Sequence, residues 1–140
     1  MKKMAISMMV FCSLMALSAA AWCGDNGNGT VTISGGLVVL KDAGCLGYMS
    51  WDNALARAKA VAHGQCGLSD NSKAGDWRLP TVAEFNAMRS DGTLKNIQSG
   101  DYWLSSGKTA SFGLKPSPCY LTPDSCDGLS NYVLTVRARQ

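Results

Sequence analysis

The chain has 140 residues, with 13 Lys and Arg against 10 Asp and Glu and six cysteines. Lys2 and Lys3 belong to an export pattern, so the remainder carries 11 cations against 10 anions, a net +1. That balance, without a basic run or stripe, excludes a nucleic-acid binder, and no nucleic acid is expected among the partners.

Lys2 and Lys3 form a positive n-region, Met4 to Leu17 an apolar stretch broken only by Ser7, Cys12 and Ser13, and Ala19 with Ala21 an A-x-A cleavage pattern. The apolar run falls short of the about 20 residues that span a bilayer. Residues 1–21 are therefore expected to be a cleaved signal peptide and residues 22–140 one domain, secreted or periplasmic, with no membrane span after cleavage. Trp22 before Cys23 argues against lipidation, which needs a small residue there.

Residues 24–30 are turn-formers. Asp25 to Gly29 is oxygen-rich, but Gly27 and Gly29 stand at calcium-ligand positions and no Glu follows, so a turn is expected rather than a metal site. Val31 to Ile33 and Leu37 to Leu40 read as strands around a Gly35-Gly36 turn, and the stretch at Cys45 as a loop. Ser50 can N-cap a helix with Asp52 near its positive end; Leu55, Ala58, Val61 and Ala62 follow at helical spacing, and His63-Gly64 ends it. A polar loop leads to an extended Trp77 to Leu79, closed by Pro80. Thr81 and Glu84 form a capping box for a second helix that ends at Asp91-Gly92, with Val82, Phe85 and Met88 facing the core. Tyr102 to Leu104, Ser111 to Leu114 and the alternating Tyr132 to Val136 are expected strands. The order predicts an α+β domain, two helices packed on small, mainly antiparallel sheets.

Cys12 leaves with the signal, and disulfides are the expected use of the five cysteines that remain in an exported chain, with one left over or paired with another chain because five is odd. Cys45 precedes the first helix and Cys66 follows it, which predicts that these two pair. Cys119 and Cys126 bracket a short segment with Pro123 and Asp124, which predicts a local clip. Cys23 is then unpaired, free or bridging two chains as a covalent dimer; its pairing with Cys119 or Cys126 is the main competitor. No pair has the C-x-x-C spacing and His63 is the only histidine, so no metal is expected. No nucleophile with a base appears, so no catalytic residue and no cofactor are expected. Trp51 and Trp77 are expected in the core. Trp103 is a candidate sugar-stacking platform, with Lys108 beside it as a binding residue; Lys95 and Lys115 are scattered cations. Arg78, next to Asp76, is expected to anchor the loop by hydrogen bonding.

Gly75-Asp76-Trp77-Arg78-Leu79-Pro80-Thr81 followed by Glu84-Phe85 resembles the signature of the Lcl C-terminal domain family of bacterial exported and surface domains. DNGNGTVT at Asp25, GLVVLKDAGC at Gly36, the stretch from Ser50 to Pro80, YWLSS at Tyr102 and YVLTVRARQ at Tyr132 are similar too. The chain departs at Val39, where the family often has Trp, near Thr135, where it often has Pro, and over residues 115–130. The resemblance implies a disulfide-braced C-type-lectin-like fold, similar also to formylglycine-generating enzymes, and, through adhesins of the family, glycan binding. The expected function is an exported, non-enzymatic binding module that recognises a glycan or protein at the cell surface. The alternatives are a structural subunit of an extracellular assembly and an enzyme related to formylglycine-generating enzymes.

Overall fold

The computed structural model describes residues 23–92, 97, 99–112 and 130–138. Among these, strands β1 (Gly24–Asp25), β2 (Thr30–Thr32), β3 (Val38–Leu40) and β8 (Val136–Arg137) form one sheet in the order β1-β2-β3-β8. Strands β4 (Tyr48–Met49), β7 (Asn131–Tyr132), β5 (Gly100–Trp103) and β6 (Thr109–Phe112) form the other, in the order β4-β7-β5-β6. All pairings are antiparallel except β5 with β7. Helices α1 (Trp51–Ala60) and α2 (Val82–Asp91) complete an α+β fold. No helix among the described residues is long and apolar enough to cross a membrane.

Local chemistry fixes the first meander. The Gly27 N–H donates to Asp25 Oδ1 (2.9 Å), and the Thr30 N–H and hydroxyl donate to Asn28 Oδ1 (3.2 and 2.6 Å), so the side-chain oxygens of the Asp25–Gly29 stretch close an Asx-type turn. Gly29 is required twice over. Its φ is +83°, and a Cβ there would fall 2.4 Å from the Gly67 carbonyl oxygen of the loop after α1.

The two sheets enclose two cores. Val38 and Leu40 of β3, Trp103 of β5 and Val133 pack with Ala54 and Ala58 of α1, Leu68, Trp77 and Leu79 in the first. Val31, Val39, Tyr102, Ala110, Leu134 and Val136 pack with Phe85 and Met88 of α2 in the second. Alternate residues of one strand thus enter different cores, and both faces of the central strands are buried.

Several expectations change. The single strand expected from Tyr132 to Val136 is two strands, β7 and β8, in different sheets. Val133, Leu134 and Thr135 cross between the sheets fully buried, with the Leu40 N–H donating to the Thr135 carbonyl (3.1 Å). Their alternation records two buried faces, not one buried and one wet. The loop around Cys45 contains β4. Helix α1 stops before Val61, whose backbone is extended (φ −64°, ψ 133°), and Ser50 is its N-cap residue without a side-chain cap bond. Helix α2 carries the expected capping box and ends at a left-handed Gly92, but Val82 is 50% exposed while Phe85 and Met88 are buried. Strand β6 begins at Thr109, earlier than expected. The hairpin turn before it is tight, with Leu104 N–H donating to Lys108 O (2.9 Å) and Gly107 N–H to Leu104 O (3.1 Å).

Cys45 and Cys66 are joined, with their Cα atoms 5.6 Å apart. Cys23 is also disulfide-bonded, so its assignment as an unpaired cysteine is corrected, and with it the basis for a covalent dimer through Cys23. None of the described cysteines is free. The bond of Cys23 goes to neither Cys45 nor Cys66, which hold each other. The expected Cys119–Cys126 clip, the signal peptide, Lys95 and Lys115 lie outside the described residues.

Candidate functional site

The segment from Gly75 to Thr81 is the first place to look, because the sequence singles it out. Trp77 is completely buried in the first core. Arg78 pairs through its backbone with Val136, N–H to O in both directions (3.0 and 2.9 Å), which ties the segment to β8. Its guanidinium meets Glu84, not Asp76: Nη1 donates to Oε1 (2.6 Å) and Nη2 to Oε2 (2.8 Å). Glu84 also accepts from the Thr81 N–H (2.9 Å), while its own N–H donates to Thr81 Oγ1 (3.2 Å). The hydrogen bonds from Arg78 outweigh partial burial and, with those from Thr81, hold the Glu84 carboxyl at a pKa of about 2. Asp76 instead accepts from the Lys73 N–H (2.8 Å), and the buried Pro80 offers its carbonyl to the Ser105 N–H (2.9 Å). The side chains of Asp76, Arg78 and Thr81 are thus committed to holding chain segments together.

The loop between α1 and Trp77 is anchored in the same manner. Asp70, its side chain fully buried, accepts from the Ser72 N–H (3.1 Å) and hydroxyl (2.7 Å) and from Arg137 Nη2 (3.1 Å). Burial alone would raise the Asp70 pKa; the Ser72 and Arg137 hydrogen bonds overcome it and lower the pKa below the ordinary value. The Arg137 guanidinium lies over the Trp77 ring, 5.3 Å from its centroid. His63 Nδ1 accepts from the Asn71 N–H (3.0 Å), which gives the single histidine a structural task.

Trp103 is not a sugar platform. It is 1% exposed, and its Nε1–H donates to the Met49 carbonyl (2.7 Å), joining β5 to the end of β4. A ring packed on both faces by a core cannot stack on a ligand. Trp51 donates in parallel fashion to the Leu104 carbonyl (3.0 Å). Lys108 is exposed in the β5–β6 turn, and the buried Trp103 leaves it without the aromatic neighbour expected of a joint site. Among the described residues, no group of three or more His, Cys, Asp or Glu could hold a metal ion.

A feature the sequence did not announce lies at the edge of the second sheet. Tyr48 of β4 stands opposite Tyr132 of β7, which stands opposite Tyr102 of β5. The rings follow the same register: Tyr48 meets Tyr132 edge-on at 5.2 Å and 68°, and Tyr132 meets Tyr102 at 5.5 Å and 34°. Tyr102 continues inward to Phe85 (6.0 Å) and Phe112 (6.3 Å). The row therefore runs from the second core to solvent, where Tyr48 is 61% exposed. Gly100 makes room for it, since a Cβ there would lie 2.7 Å from Tyr132 Cε2. The available signal was Gly47-Tyr48-Met49, a tyrosine and a methionine after glycine inside what reads as a loop. Two residues are too few for a period-2 pattern to appear.

No family model, no curated protein and no solved structure matches this chain.

Proposed function

We propose that the protein is an exported, non-enzymatic binding module of C-type-lectin-like character, as the Lcl resemblance implies, that recognises a glycan or protein at the cell surface. The observation that carries this reading is Tyr48, exposed at a sheet edge and backed by Tyr132 and Tyr102. Tyrosine offers an apolar ring with a polar tip, suited to a partner that is wet on one side. Support from a packed aromatic row fixes the ring before binding, which lowers the entropy lost on association. This moves the proposed contact from Trp103 to Tyr48. The disulfide Cys45–Cys66 fits an oxidising compartment, as expected for a chain whose residues 1–21 are removed on export. A glycan array probed with the exported protein tests the reading. A concentration-dependent signal on one glycan class is the expected result. An array without signal, together with no binding to the surface of intact cells, would contradict it.

A further inference from the structure

The disulfide sits close in sequence to the candidate site, and the two segments it joins are anchored to different degrees. Cys66 belongs to a loop held by His63 N–H to Ser72 O (3.0 Å), Gly64 N–H to Leu68 O (2.8 Å) and Ser69 N–H to Asn28 O (3.0 Å), besides the buried Leu68 and the Asp70–Arg137 pair. Cys45 belongs to the stretch between β3 and β4. The stretch enters with the Lys41 N–H on the Gly29 carbonyl (3.0 Å), but from there to β4 its backbone bonds are short-range and long, Ala43 N–H to Lys41 O and Cys45 N–H to Asp42 O, both 3.2 Å. Beyond it, Leu46 is buried, and β4 is an edge strand of only two residues, paired through Tyr48 with Tyr132 and Met49 with Asn131 and held at its far end by the Trp103 Nε1–H on the Met49 carbonyl (2.7 Å), so that Tyr48 lies between that anchor and the disulfide. Cys45 is exposed and Cys66 half-buried, so a reductant can reach the bond.

We propose that the Cys45–Cys66 disulfide positions Tyr48, and that its reductive opening releases β4 while the rest of the fold stays closed. The covalent bond moors a weakly held segment to a strongly held one, three residues ahead of the exposed ring. A dithiol reductant supplies two electrons and two protons: its sulfurs become a disulfide, and Cys45 and Cys66 become thiols. The consequence for recognition rests on the assignment of Tyr48 as the contact; the positioning role does not.

Amide hydrogen exchange of the full chain separates the two. Cys45 and Cys66 are replaced together by alanine (C45A/C66A), which leaves the bond of Cys23 in place. Loss of a disulfide frees the unfolded chain and raises exchange at the most protected amides by a common factor. Consecutive N–H groups of an edge strand point to opposite sides, so one of the two β4 amides faces β7; the expected result is that this amide exceeds the common factor by on the order of tenfold or more, whereas Leu68, Ser69 and the amides of α2 follow it. Wild-type protein reduced with dithiothreitol, with the opened bonds mapped by mass, should show the same excess at β4. An increase shared equally by that β4 amide and α2, or none at β4, would overturn the proposal. If the excess appears and no ligand is found, the positioning role stands and the assignment of Tyr48 to binding falls.

Discussion

Trp51, Trp77 and Trp103 all belong to the α1 side of the molecule, and the indoles of Trp77 and Trp103 are buried in its core, whereas Phe85, Tyr102, Phe112 and Tyr132 belong to the α2 side and continue outward to Tyr48. The helices explain the contrast. Helix α1 buries only Ala54 and Ala58 completely, so it leaves space that large rings from other segments fill. The loops bringing those rings are then fixed by Cys45–Cys66, by Asp70–Arg137 and by indole N–H bonds to Leu104 and Met49. Helix α2 brings its own bulk, Phe85 and Met88, and is fixed at its start by the capping box and at its end by Asp91, which accepts from the Ser34 N–H (3.0 Å) and hydroxyl (2.7 Å). The α1 side therefore adds a disulfide and loop clamps to rings brought from other segments, whereas the α2 side carries the contiguous aromatic packing. Among the described residues, the packed row ends in the one largely exposed aromatic ring, Tyr48.

The largest effects should come from breaking each side at its own kind of support. Phe85→Ala removes the ring that touches both Tyr102 and Phe112 and is expected to cost about 3–5 kcal/mol of stability. Asp70→Ala strips the buried partner from Arg137 and is expected to cost about 3 kcal/mol. Denaturant melts read both losses. The sides are distinguished by near-ultraviolet circular dichroism just below the midpoint: F85A should disturb tyrosine bands first, D70A tryptophan bands. The same bands moving in both variants would erase the distinction.

A smaller effect tests the clamp at the start of α2. The folded Glu84 pKa is about 2 against an ordinary 4.5, and the Asp70 pKa is also lowered. Groups with depressed folded pKa values stabilise the fold above their unfolded pKa and lose that contribution as pH falls through the folded value. The melting temperature should therefore be level above about pH 5 and decline from about 4.5 toward 2. Arg78 is partly exposed, so Glu84→Gln should cost only about 1 kcal/mol at neutral pH, most of it from the weakened cap and screened pair. The acid decline should become shallower in that variant. An unchanged acid profile would remove Glu84 from the account.

The same contrast decides what the sequence discloses. Helix α2 is legible because its stop and start signals are local: Thr81 and Glu84 bond each other, and Gly92 adopts the left-handed turn. The Cys45–Cys66 pair is legible because one helix separates its members. The split of the last strand is hidden, because Val133, Leu134 and Thr135 are apolar or small whichever core they enter, and only the position of the other strands assigns them. The role of Trp103 is hidden for a related reason, since its fate depends on Met49, a distant residue whose carbonyl takes its N–H. Tyr48 is the converse case. Its strand is two residues long, and its importance comes from lying opposite Tyr132, near the other end of the chain.

The most direct test of the account is Tyr48→Ala, followed by two readouts on the same sample: thermal stability, and binding to whichever array glycan or cell surface the wild-type protein recognises. Because the ring is largely exposed and loses only its contact with Tyr132, the stability should fall by no more than about 1 kcal/mol. Binding should be lost or reduced by tenfold or more, as for an aromatic anchor worth about 2 kcal/mol, while Lys108→Ala retains it. Unchanged binding by Y48A at a stability within that margin would contradict the account, because the outer end of the aromatic row would then be an ordinary surface.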